Sequence, residues 1–248
     1  MALSFLATHQ SRGRLVFIFH YQSRYDRKVS TPPQTPIDPI QSDQQHIHAD
    51  LATVVRRHVD RPWERPVPGH TRMAFEEAMA WWQGRPTSPL ILDSFCGTGM
   101  STALLAKKYP NATVIGVDKS QHRLAKHQMT GSNYRLFRAD CEGFWQCLTA
   151  NNITLSQHWL LYPNPWPKSG HLKRRVHGHP GFPLLKALGG RIELRTNWHI
   201  YAQEFAQACH HIGIDGQLSR FSADSPMTRF EDKYQHRGHA LWRFVSES

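Results

Sequence analysis

Cysteine is scarce in this chain. The 248 residues hold four, Cys96, Cys141, Cys147 and Cys209, and none of them makes a C-x-x-C pair. That spacing argues against a disulfide frame or a zinc site and for reduced thiols in a cytoplasmic protein. Long apolar runs are also missing. None approaches the stretch of about 20 residues that a membrane helix needs. The run Leu15 to Phe19, behind Arg12 and Arg14, is too short for a signal peptide and has no small-residue cleavage site after it. No membrane partner is therefore expected. There is no G-x-x-x-x-G-K-[ST] run, which argues against a nucleoside triphosphate loop. Acids are outnumbered, 19 against 30 Lys plus Arg, for a net charge of +11. The imbalance favours a polyanionic partner, nucleic acid ahead of a membrane surface.

What the chain does have is concentrated in WLLYPNPWPKSGHLKRRV, Trp159 to Val176. Trp159-Leu160-Leu161-Tyr162 has the length of a buried strand. It breaks into Pro163-Asn164-Pro165-Trp166-Pro167. Prolines cannot feed a central ladder, so the strand stops there and the stiff loop sits at the carboxyl edge of its sheet. That edge is where open α/β sheets bind ligands. Lys168, His171, Lys173, Arg174 and Arg175 follow. A tryptophan beside such cations suits a base and its phosphates. The alternative is a Pro-rich surface loop with a solvated basic run.

Read in order, residues 1–45 look like an arm. Thr31 to Pro36 and the polar run to His46 bury nothing and favour extended chain. Val29-Ser30-Thr31-Pro32 also reads like a natural start, which would make residues 1–28 an extension from a misplaced start codon, or disordered. Residues 46–88 carry two helices. One has Leu51, Val54, Val55 and His58 on one face; the other runs from Thr71 to the Trp81-Trp82 pair, read as core packing. From residue 89 strands and helices alternate. Strands are expected at Leu90 to Leu92, Ala112 to Val117, Tyr134 to Phe137, Trp159 to Tyr162 and Arg191 to Leu194. Helices are expected at Met100 to Lys108, Gln121 to Met129, Gly143 to Leu148, up to Leu188, and Trp198 to Cys209. Gln217 to Phe221 and Ala240 to Val245 close the chain as a strand pair with no helix between them. The pattern predicts an α/β fold with a doubly wound, mostly parallel, seven-stranded sheet spanning residues 89–248. Among the 17 histidines, His177, His179, His210, His211, His236 and His239 lack a metal spacing and are read as surface or loop residues, with no metal site.

Three strands end in an acid: Asp93, Asp118 and Asp140. Such strands lie side by side, so the carboxylates should converge on one edge. Gly97 and Gly99 after the first strand let backbone approach a ligand. Phe95 stands where a dinucleotide fingerprint wants its first glycine. Asp118 has the spacing to grip ribose hydroxyls. Three acids disfavour a phosphate and favour a cation. S-adenosyl-L-methionine, a nucleoside with a sulfonium and an ammonium, fits better than a nicotinamide dinucleotide.

These residues carry a resemblance. DSFCGTGMST with GVDKS is similar to the cofactor half of Rossmann-like class I methyltransferases. LYPNPWPKSGHLKRRV, LGGRIELRTNWHIYAQEF and MTRFEDKYQHRGHALWRF, in that order, resemble the bacterial tRNA (guanine-N7-)-methyltransferases over about residues 70–248. The resemblance implies S-adenosylmethionine on Asp93, Asp118 and Asp140. It implies tRNA on Lys168, on the Lys173-Arg174-Arg175 run, and on Thr228, Arg229, Phe230 and Glu231. It also implies methylation of guanine 46 at N7; the oligomeric state is left open by the sequence, with a monomer favoured. Asn164 stands where that family has the acid of its Pro-Asp-Pro-Trp loop, the catalytic and cofactor-side position. Asn197 stands where it has the Asp of Thr-Asp-Trp, and Leu172 replaces an expected asparagine.

Guanine N7 has a lone pair in the ring plane and no proton to lose. In-line displacement on a sulfonium methyl therefore needs positioning more than a base. An amide at position 164 keeps an acceptor oxygen but loses charge, which weakens a transition-state contact. Two alternatives follow from Asn164 and Asn197: a methyltransferase of the same build acting on another substrate, or a catalytically weak RNA-binding paralogue.

Overall fold

The computed structural model describes residues 40–84 and 88–247. The proposed start at Val29 and the Pro-rich stretch Thr31 to Pro36 lie outside the described residues. Among the described residues, seven strands form one sheet: β1 (Leu90–Ser94), β2 (Thr113–Asp118), β3 (Tyr134–Arg138), β4 (Gln157–Leu161), β5 (Arg191–Thr196), β6 (Gly216–Phe221) and β7 (Leu241–Ser246). Their order is β3-β2-β1-β4-β5-β7-β6. β1 to β5 run parallel, and β7 is antiparallel to both its neighbours. The expected doubly wound, mostly parallel sheet is the one observed.

Side chains alternate across the sheet as a pleat requires. Leu90 and Leu92 of β1, Ile115 and Val117 of β2 and Leu160 of β4 enter one core. Ile91, Val114, Trp159 and Leu161 enter the other. The first core takes in α1 (Leu51–Asp60), α2 (Gly69–Gln83), α5 (Cys141–Ala150), α6 (Leu184–Leu188) and α7 (His199–His211). The second takes in α3 (Met100–Lys108). Burial on both faces explains why the central strands read as unbroken apolar runs. The four cysteines are free and buried. No helix among the described residues is long and apolar enough to cross a membrane.

Three expectations need correction. The helix expected over Gln121 to Met129 is only α4, Gln121–Leu124. His127 turns inward to bond the Thr98 carbonyl and the Tyr134 hydroxyl, which breaks the helical path. Between β6 and β7, where no helix was expected, α8 spans Arg229–His236. Only Glu231 of α8 is buried, so it leaves no apolar periodicity; its signal is the Thr-x-x-Glu cap at Thr228 and Glu231. Finally, the polar run before His46 does not merely trail in solvent. Gln44 is buried against Arg175 and Glu204, because a buried ion pair needs further polar partners.

Candidate active site

β1 and β4 are neighbours, and the strand order reverses between them, so their carboxyl ends make a switch point. A cleft of about 530 Å³ opens there. Of the residues expected at a site, Gly97, Asp118, Asp140, Asn164, Arg174, Thr228, Arg229 and Phe230 line it. The loop after β1, the tips of β2 and β3, the loop after β4 and the start of α8 thus meet in one place.

Asp118 is almost wholly enclosed. Its carboxylate accepts from Gly97 N–H at 3.0 Å, Ser120 N–H at 2.8 Å and the Arg123 guanidinium at 2.9 Å. A carboxylate has about four acceptor positions, so one remains for a ligand hydroxyl. Gly97 adopts φ +61° with open space where a side chain would stand. Gly99 at φ +74° begins α3, and a Cβ there would strike Leu136 and His127. Asp140 is half-exposed at the start of α5, with His70 3.8 Å away. Glu142 joins it in the wall, and burial raises its carboxyl pKa.

Asp93 is placed differently from the expectation. It is fully buried behind the cleft wall. One oxygen accepts from the Ser101 and Thr102 hydroxyls at 2.6 and 2.7 Å; the other has no partner. Burial pushes its pKa up to about 6, against the pull of those two hydroxyls. Its evident work is to tie the tip of β1 to the start of α3, with one acceptor in reserve.

On the opposite wall, Asn164 is exposed and its side-chain oxygen accepts from Trp166 N–H at 3.4 Å. The Arg174 guanidinium lies 5.0 Å over the Trp166 ring, and His171 meets that ring edge-on at 5.5 Å. Phe95, Tyr162 and Trp166, all in the cleft wall, have positive φ of 61°, 52° and 45°. Non-glycine residues in that region carry strain and gather at functional sites.

The basic run divides. Lys168, Lys173 and Arg174 are exposed, whereas Arg175 is not on the lip at all. It is fully buried, ion-paired with Glu204 and hydrogen-bonded to the Trp166 and Lys168 carbonyls. A short 3-10 helix, Ser169–Arg174, rotates successive residues to different sides, so three cations in sequence are not three cations in space. His177, expected at the surface, is buried beside Arg175 and bonded to Glu204 at 2.9 Å. Glu231 likewise faces inward. It accepts from Met227 N–H, the Arg195 guanidinium and the Tyr162 hydroxyl, fixing α8 to the loop after β4 rather than presenting a free carboxylate. Asn197 lies outside the cleft wall, 3.3 Å from His239. Sequence reading missed Glu142, Tyr162 and Lys233 in the wall. Lys233 could have been found: on a helix it shares a face with Arg229 and Phe230.

The chain matches a protein-family model described as "Putative methyltransferase" over residues 87–244. A tRNA (guanine-N(7)-)-methyltransferase of Mycolicibacterium paratuberculosis is 28% identical over 258 aligned positions, covering 91% of this chain and 97% of the relative. One from Escherichia coli (strain K12) is 27% identical over 175 positions, covering 64% of this chain and 72% of the relative. Among solved structures, the 16S rRNA methyltransferase KamB superposes with a TM-score of 0.53 at 15% identity, over 68% of this chain and 92% of that one. An antibiotic-related methyltransferase gives 0.51 at 12%, over 70% and 94%. At those identities the two structures support the fold alone.

Proposed function

The chain belongs to the methyltransferase family that this model describes, and from that premise we propose that it methylates tRNA at guanine N7, at position 46, with S-adenosylmethionine as donor. The observation that carries the reading is one cleft with acids on one wall and an aromatic, cationic lip on the other: Asp118, Asp140 and Glu142 facing Trp166, Arg174 and the start of α8. When bound, S-adenosylmethionine supplies an electrophilic methyl on a sulfonium. The residues suit it. Asp118 has an acceptor position left for a ribose hydroxyl, Gly97 leaves its approach clear, and Asp140 and Glu142 make a wall that favours positive charge.

On the other wall, Trp166 offers a face for a nucleobase, and Arg174, Lys168 and Lys173 offer cations to phosphates. Guanine N7 needs no proton removed. The work of these side chains is to hold the base about 3 Å from the methyl and in line with it. Asn164 sits beside that path and presents both an acceptor and a donor to the base edge. Methyl transfer from tritiated S-adenosylmethionine into bulk tRNA, followed by nucleoside analysis, tests the reading. 7-Methylguanosine is the expected product; no labelled nucleoside would refute it.

One observation favours a second reading. Asn164, in the cleft wall, and Asn197, outside it, are both amides where the resemblance leads one to expect acids. A carboxylate can accept from two N–H groups of the guanine edge, whereas an amide accepts from one and donates beside it, a pairing that adenine also offers, so label on another nucleoside would support a same-fold enzyme with a different target. RNA bound without methyl incorporation would support a non-catalytic role.

A further inference from the structure

Three consecutive side chains ahead of α1 grip the loop that follows β4. The Ser42 hydroxyl donates to the Pro167 carbonyl at 2.6 Å. The Asp43 carboxylate accepts from Ser169 N–H at 2.8 Å and from the Ser169 hydroxyl at 3.0 Å. Those two bonds, the backbone one foremost, hold its carboxyl below the usual carboxylate range. Gln44 is buried, accepting from Arg175 at 2.9 Å and donating to Glu204 at 2.6 Å. Arg175 completes the grip through the Trp166 and Lys168 carbonyls.

The consequence is specific to four residues. The carbonyls of Trp166, Pro167 and Lys168 and the amide of Ser169 all bond to this group. The loop from Pro163 to Pro167 has no helix or strand of its own, and Trp166 holds φ +45°. A bulky residue does not keep that conformation unaided. Its shape is set from outside.

We propose that Ser42, Asp43 and Gln44 form a clasp that fixes the Asn164–Lys168 loop in its RNA-receiving shape. They are then positioning residues for the substrate, although none of them lines the cleft. This rests on reading the cleft as an RNA methyltransferase site.

The test uses the full chain carrying S42A and D43A together. Asp43 is exposed and Ser42 half-buried, so the fold should survive, and an unchanged melting midpoint would show it. Hydrogen exchange of the peptide covering residues 166–171 should speed up about tenfold at Ser169, which loses its bonded partner. KM for tRNA should rise about tenfold, with kcat changing less and S-adenosylmethionine affinity by calorimetry unchanged. Asp43→Asn, which keeps an acceptor, should stay close to the parent. Unchanged exchange in residues 166–171 would overturn the clasp. Faster exchange with unchanged KM would overturn its role in positioning. If the parent protein methylates no tRNA, the function proposed above fails by itself, while the exchange measurement still decides whether the clasp sets the loop.

Discussion

Asn164 carries the sharpest question at the scale of single residues. Its side chain already caps the Trp166 amide, a role a carboxylate fills equally well, so Asn164→Asp should fold normally. Charge-assisted hydrogen bonds are roughly twice as strong as neutral ones. If the target is guanine N7, the substitution should raise methyl transfer to tRNA by about tenfold or more, read as 7-methylguanosine per unit time. No change or a fall would count against that target. Asp118→Asn should weaken S-adenosylmethionine binding about tenfold by calorimetry, because the amide trades an acceptor for a donor while Gly97 and Ser120 still need one. Residue identities were readable in the sequence to different degrees. Asp118 and Asp140 were found because strand ends are visible from apolar runs that stop at an acid. Arg175, His177 and Glu231 were assigned to solvent or substrate and lie inside. A charged residue announces its charge but not its partner, and the side-chain partners of Arg175, Gln44 and Glu204, are 131 and 29 residues away in the chain.

At the scale of elements, the site depends on two devices that bring separate pieces of chain together. Thr228 accepts from Glu231 N–H at 3.0 Å and caps α8, the helix that presents Arg229, Phe230 and Lys233 to the cleft. Thr228→Ala should cost about 1 kcal/mol, seen as a small drop in melting midpoint, and should raise KM for the nucleic acid. The second device is the Arg175–Glu204–His177 cluster. Removing one member of a buried ion pair typically costs about 3–5 kcal/mol. Arg175→Met should therefore destabilise the protein strongly in denaturant titration and loosen the loop of Trp166. Elements with an apolar face, such as β1, β2 and α3, were legible with their bounds nearly right. α8 was not, since an almost wholly solvated helix writes only its cap into the sequence. α4 was overread, because the apolar spacing continued past the point where His127 turned to Thr98.

For the whole molecule, charge and acid response follow from what is buried. With +11 formal charge and exposed cations at the lip, affinity for RNA should fall steeply with salt. Lys173→Ala or Arg174→Ala should each lower the slope of log affinity against log salt by about 1. Burial lowers the pKa of His177, of His158 to about 3 and of His179 to about 4. Their unfolded counterparts bind protons below about 6.5, so stability should decline as pH falls below that value. Burial pushes the Glu204 carboxyl up, but the His177 bond and the neighbouring charges outweigh it and hold it at about 2. Its contribution is complete above about 4.5 and is lost as pH falls towards 2. Asp93, raised to about 6, works the other way between pH 6 and 4, but three histidines outweigh it. Urea midpoints from pH 8 to 3 would measure the sum. The parallel half of this architecture was legible from strand–helix alternation; the order β5-β7-β6 was not, because nothing in local pattern says which edge a returning strand will choose.

Every thiol in the described fold is enclosed, and burial raises the pKa of all four. An alkylating reagent near neutral pH should therefore find almost nothing to react with until the packing parts. Cys209 lies on the buried face of α7, Cys147 on α5, and Cys96 and Cys141 in the wall of the cleft, so the order in which they take label would chart which region opens first, and ligand protection at Cys96 and Cys141 but not at Cys147 or Cys209 would mark an occupied pocket.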